Sequence, residues 1–281
     1  VEVLAGLIWD GFIGVVTNIY NDLVNSLSGG MLNSMAAALQ ILDVSYVRNV
    51  ILNAQIIGGS LLCLKILYDT LYNYILHANG EPTDSGGLLV RIALAAGAVI
   101  GAPEVAKRVY SACTDLATEI AGSQAIESGD MSPLLGLSDI GIVIMILAMV
   151  GFVLWILILI QTGVRAVELG VLSVVGSGMA VGLTSPEQGT FAVWWRELIV
   201  LSMSQVIQIF LVKGALSTAA LLSASTMMQM AFFIGWLWVA YRTPATLRQF
   251  AYSTGVGSAV GGAVQQGGSF VMLRMMLRRG V

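Results

Sequence analysis

Residues Ile140 to Ile160 read "IGIVIMILAMVGFVLWILILI", and no position in the run is charged. About 20 consecutive apolar residues cross the ~30 Å hydrocarbon core of a bilayer as an α-helix, so this stretch reads as a transmembrane helix. The rest of the chain agrees: 57% of its 281 residues are hydrophobic and 10% are charged, whereas a soluble domain carries roughly a quarter charged residues. Mean hydropathy is strongly positive. The expected fold class is therefore all-α, a polytopic helical membrane protein, with little chain left for a separate soluble domain.

Further spans lie on both sides of this run. Val50 to Ile75 is long enough to cross with tilt. Leu88 to Ala102 is shorter, but "EVAKRVYSACTDLATEI" carries it past Pro103 as an amphipathic helix. Leu198 to Leu222 and Met227 to Val239 close the series, giving about five spans. Between the third and fourth lies "LGVLSVVGSGMAVGLTSPEQG", apolar but broken by glycines and Pro186, which reads as a re-entrant hairpin or a sixth, weak span. The first residues behave differently. Leu4, Leu7, Ile8, Phe12, Val15, Ile19 and Leu23 recur at helical spacing between Asp10, Asn18, Asn21 and Asp22, the pattern of an amphipathic helix. "GGMLNSMAAALQIL" reads as a second one. "VEVLAGLIWDGF" has no basic leader and reads poorly as a signal peptide. Three regions are expected: amphipathic extracytoplasmic helices over 1–47, a transmembrane domain over 48–241, and a basic, glycine-rich cytoplasmic tail over 242–281.

Charge sets the expected orientation. No acid follows Glu197, while the chain beyond it carries Lys213 and five arginines. Positive residues near span ends favour the cytoplasm. The tail is then inside, and with five spans the N-terminus falls outside. The acidic 103–139 segment, with Glu104, Asp115, Glu119, Glu127, Asp130 and Asp139, falls outside too.

Ionisable and amide side chains within spans are the candidate intramembrane polar sites, because they are costly there and seldom idle. Lys65 and Asp69 are four apart, and Arg165 and Glu168 three apart, each within reach of its neighbour on one helix face. Lys213 has no local acid. Asn53 and Gln55, then Gln205 and Gln208, are suited to hydrogen bonds between helices. Trp194, Trp195, Trp236, Trp238 and Tyr241 sit at expected span ends and read as interfacial anchors. In the tail, Arg242, Arg248, Arg274, Arg278 and Arg279 are candidates for docking a partner or resting on lipid. Cys63 and Cys113 are not expected to form a disulfide, and His77 reads as a loop or interface residue. The residues assemble no nucleophile–base pair and no metal-ligand spacing, and "GVGSAVGG" lacks the Lys-Ser/Thr of a phosphate loop. No catalytic role, no cofactor and no metal is expected.

The block "LILIQTGVRAVELGVLSVVGSGMAVGLTSPEQGTFAVWWRELIVLSMSQVIQIFLVKGAL" places a hydrophobic span before Arg165-x-x-Glu168, a small-residue segment, Trp194-Trp195-Arg196 and a glutamine-bearing span. It resembles the TrbL family, the polytopic inner-membrane subunit of conjugative type IV secretion systems, especially the forms in Gram-positive conjugative elements. "TPATLRQFAYSTGVGSAVGG" is similar to that family's glycine-rich tail. The likeness runs over roughly Ile140 to Gly268 and extends to the first half by architecture. It implies a channel or scaffold subunit that helps form the path for single-stranded DNA with its relaxase, or for protein. It further implies separate ATPases and other secretion subunits as partners. The amphipathic N-terminal helices and small-residue spans suit self-assembly into an oligomer, and the tail arginines suit an acidic ATPase surface or transient contact with single-stranded DNA. The alternative is a stand-alone small-molecule transporter or permease, which would show inverted repeats around broken helices. The glycine-rich segment is one such break, without a matching partner in the first half.

Overall fold

A computed structural model describes residues 33, 35–80, 85–122, 142–185, 189–221 and 226–253. Among these residues the secondary structure is helical throughout. A short helix α1 (residues 35–43) leads into α2 (Ser45–Ala78), α3 (Ser85–Gly122), α4 (Ile142–Met179), a 3-10 turn (Ala180–Thr184), α5 (Gly189–Leu221) and α6 (Thr226–Ser253). Helices α2 to α5 each hold a stretch long and apolar enough to cross a membrane. The chain is a multi-pass membrane protein.

Several boundaries differ from the expected ones. Among the described residues four helices, against about five expected, meet the length and apolarity needed to cross. The described part of α6 also holds Gln229, two tryptophans, Tyr241 and Arg242, and it is not among the four. The glycine-rich segment is not a separate hairpin. Its described part is the C-terminal end of α4, from Leu169, and the 3-10 turn, because Gly170, Gly176 and Gly178 stay within a continuous helix. Residues 103–122 belong to α3, with Pro103 accommodated inside it, so the first part of the expected acidic loop is helical, and residues 123–139 lie outside the described residues. The expected tail likewise begins inside α6, which runs through Pro244 to Ser253. The first amphipathic helix and residues 254–281 lie outside the described residues.

The chain forms two compact units, each using parts of the same helices. The first contains Ser111–Ala166 and Ser202–Thr246 with the described residues up to Ala38. Its core joins Leu154, Trp155 and Ile158 of α4 to Val206, Ile209, Val212 and Leu216 of α5 and to Met230, Phe233 and Leu237 of α6. The three- and four-residue spacings put these side chains on one stripe of each helix. Gly214 lets Trp236 lie against α5, since a Cβ there would sit 2.9 Å from the indole.

The second unit contains Leu39–Tyr110, Val167–Leu201 and the described residues from Leu247. Its apolar centre is Leu62 of α2, Ala95 and Val99 of α3, and Ala180 and Leu183 of the 3-10 turn. Gly58 comes so close to this region that a Cβ would stand 2.7 Å from the Ser177 carbonyl oxygen. Most of α2 is nonetheless uncovered: Ile56, Ile57, Leu64, Leu67, Leu71 and Ile75 are all exposed. A face of this kind is suited to lipid, where apolar side chains carry no hydration cost.

Candidate functional site

Within the first unit, the side chain that departs most from its surroundings is Arg165, 3% exposed in a helix otherwise rich in aliphatic residues. A guanidinium in such a place must find acceptors, because burying it without them costs several kcal/mol. Its Nη1 donates to Gln205 Oε1 at 2.6 Å and to Gln208 Oε1 at 2.5 Å. Both glutamines are fully buried. They are three apart on α5 and so present their amides to the same side. The Gln208 amide nitrogen passes the contacts on, donating to Gln161 Oε1 and to the Ala240 carbonyl, each at 3.2 Å. Gln161 in turn donates to the Tyr241 carbonyl at 3.2 Å. Amide to amide, α4, α5 and α6 are joined inside an apolar core.

The acceptors on α6 have a local cause. A proline has no N–H, so Pro244 cannot donate to the carbonyl four residues earlier, which is that of Ala240. Gln208 supplies the missing donor. In the second unit Pro103 leaves the Val99 carbonyl of α3 without its helical donor, and Gln55 of α2 donates one residue further on, to the Ile100 carbonyl at 2.9 Å. Freed carbonyls of this type persist in membrane helices only where a neighbouring group satisfies them.

The chemistry open to the Arg165 cluster is narrow. Guanidinium stays charged and amides do not titrate near neutral pH, so the cluster is suited to holding a fixed positive charge and a helix register, not to moving protons. Among the described residues no group of three or more His, Cys, Asp or Glu side chains is placed to hold a metal ion.

The other expected polar residues are distributed as follows. Lys65 and Asp69 do pair, at 2.8 Å, on the half-buried side of α2, and Asn73 donates to the Asp69 carbonyl. Glu168 and Lys213 are both half-buried. Asn53 is exposed, and Gln55 alone of that pair makes the helix-to-helix bond, since two residues along a helix turn the side chain to the far face. Cys63 and Cys113 are free thiols. Trp194 is not an interfacial anchor. It is 1% exposed, its indole donates to the Leu172 carbonyl at 2.9 Å, and Gly176 makes room for the ring. Arg242 is exposed, whereas Arg248 pairs with Glu197 at 3.2 Å. Arg274, Arg278 and Arg279 lie outside the described residues.

Two contributors escaped the sequence reading. Gln161 lies four residues before Arg165, and Pro244 lies four after Ala240; both spacings are visible in the sequence, but only the α4–α5–α6 packing brings them to one point. Tyr252 is a third, donating to Glu197 Oε1 at 2.6 Å. That hydrogen bond to the carboxylate, with some burial, favours the protonated hydroxyl and pushes the Tyr252 phenol above its ordinary value.

A family model described as "Conjugal transfer protein TrbL" matches residues 1–278. No curated protein and no solved structure matches the chain.

Proposed function

The chain belongs to the TrbL family of conjugal transfer proteins, and on that premise we propose that it is a membrane-embedded channel or scaffold subunit of a conjugative type IV secretion system. In this reading it helps form the path for single-stranded DNA with its relaxase, or for protein, across the bacterial cytoplasmic membrane. The observation that carries the reading is the family match over nearly the whole chain. Two structural features support it. Four helices have the length and apolarity of spans, and the uncovered face of α2 gives lipid or neighbouring subunits a surface to meet. The catalytic step would lie with separate ATPases among its partner subunits, and the chain would assemble with copies of itself.

The proposed orientation is N-terminus outside and the arginine-bearing end inside, where Arg242, Arg274, Arg278 and Arg279 would meet a partner or the anionic leaflet. Labelling of single cysteines in intact cells should then reach position 128 and miss position 269. The path itself is tested by formaldehyde cross-linking during mating, followed by precipitation of this chain. The transferring strand should be recovered with it. Recovery no greater than from donors lacking the relaxase, in a strain that transfers normally, would contradict a place on the path.

A further inference from the structure

At one end of the second unit, α5 and α6 bring two arginines and a tyrosine around one carboxylate. Glu197 has both oxygens engaged: Oε2 takes Arg248 Nε at 3.2 Å and Oε1 takes the Tyr252 hydroxyl at 2.6 Å. Arg196 has no share in that carboxylate. Its guanidinium lies over the Tyr252 ring, 4.9 Å from the centroid, and its buried Nε has no hydrogen-bond partner among the described residues. The cluster thus carries one positive charge more than Glu197 neutralises, together with a donor that lacks an acceptor. The Arg248 side chain is 52% exposed, so the excess charge is reachable from outside.

The position of the cluster narrows what could supply the missing acceptor. Arg248 follows the apolar run of α6 by about two helical turns, and Arg196 lies in the first turns of the candidate span Gly189–Thr218. Arginine beside an aromatic ring at a span end is the arrangement that reaches for the headgroup layer of a bilayer. Val193, one turn before Glu197 on the same side of α5, is exposed and offers an apolar surface next to the charges. A ligand that joins an anionic oxygen to a hydrocarbon body fits this surface; a bare phosphate strand would leave the apolar part unused.

We propose that Arg196 and Arg248, framed by Tyr252, form a binding site for the phosphate of an anionic phospholipid headgroup. Arg196 contributes the charge that Glu197 does not neutralise and Arg248 its exposed face, while Glu197 keeps Arg248 and Tyr252 in place. The site rests on the membrane placement of the chain but not on its role in transfer, so lipid binding and conjugation can fail separately.

The test is native mass spectrometry of the full chain released from nanodiscs of phosphatidylglycerol or of phosphatidylcholine. The wild type should retain phosphatidylglycerol and not phosphatidylcholine. Arg196→Gln and Arg248→Gln should each reduce retention roughly fivefold, the equivalent of about 1 kcal/mol per basic residue near an anionic surface. Arg196→Lys should restore part of it. Arg48→Gln, at an exposed arginine near the start of α2, should leave retention unchanged, which separates a site from general charge. Equal retention by the wild type and both glutamine variants, each confirmed as folded by an unchanged melting temperature, would overturn the site. So would displacement of the lipid by a single-stranded oligonucleotide, which would assign the arginines to nucleic acid instead.

Discussion

At the scale of single residues, Gln208 is engaged at both ends of its amide. Its oxygen accepts from Arg165, and its nitrogen serves both Gln161 and Ala240. Gln205 is less committed, for its Oε1 accepts from Arg165 while its buried Nε2 has no partner among the described residues. The two glutamines should therefore differ. Gln208→Leu strands a donor and an acceptor on α4 and an acceptor on α6 and is expected to cost about 1–3 kcal/mol, whereas Gln205→Leu also removes an unsatisfied amide and should cost less. Thermal unfolding in mild detergent gives the order, and equal losses would count against the network. Tyr252 offers a second residue-level check. Its phenol is raised from an ordinary value of 10.0, so the contribution of its bond to Glu197 is complete below that value and is lost as pH rises through the higher one. Melting temperature should hold across the neutral range and fall in strong alkali, and Tyr252→Phe should remove part of that fall. Of these residues, the sequence marked Arg165, Gln205 and Gln208 because polar side chains in apolar runs stand out. It did not join them, since their meeting depends on the facing register of α4 and α5, which no local spacing encodes.

At the scale of elements, neighbouring glycines divide by what a methyl group would meet. A Cβ on Gly58 would press on the Ser177 carbonyl at 2.7 Å, a backbone atom held by its own helix, while one on Gly59 would meet nothing within 4 Å. Gly58→Ala should thus destabilise by about 1–3 kcal/mol through overpacking. Gly59→Ala should be neutral or stabilise by up to about 1 kcal/mol through helix propensity. The same contrast holds on α4, where Gly176 touches the indole of Trp194 and Gly178 touches nothing. Comparing the melting temperatures of the four alanine variants checks the packing directly, and no difference within either pair would contradict it. The span-forming runs were legible from apolar length alone. Helix ends were not, because α3 and α4 continue well beyond the bilayer-crossing length, at about 57 Å each for 38 residues. Trp194 was misread for the same reason: with α4 extended to Met179, a position that looked like a span end lies beside another helix.

At the scale of the whole molecule, the sequence was most informative about class and least about arrangement. Composition and an uninterrupted apolar run suffice for an all-α membrane protein, because the bilayer admits few alternatives. Among the described residues four helices are long and apolar enough to cross, and α6, whose apolar first half is followed by Tyr241, Arg242 and Thr243, is not one of them. Functional identity came from a pattern spread along the chain, and the family match extends it to residues 1–278. The central claim, that this chain is a working part of a conjugative transfer machine, is met most directly by mating frequency. Donors with an in-frame deletion of this chain, and with coupling ATPase and relaxase intact, should transfer at the detection limit and recover when the wild-type chain is supplied in trans. Transfer at the parental frequency from the deletion donors would contradict the account.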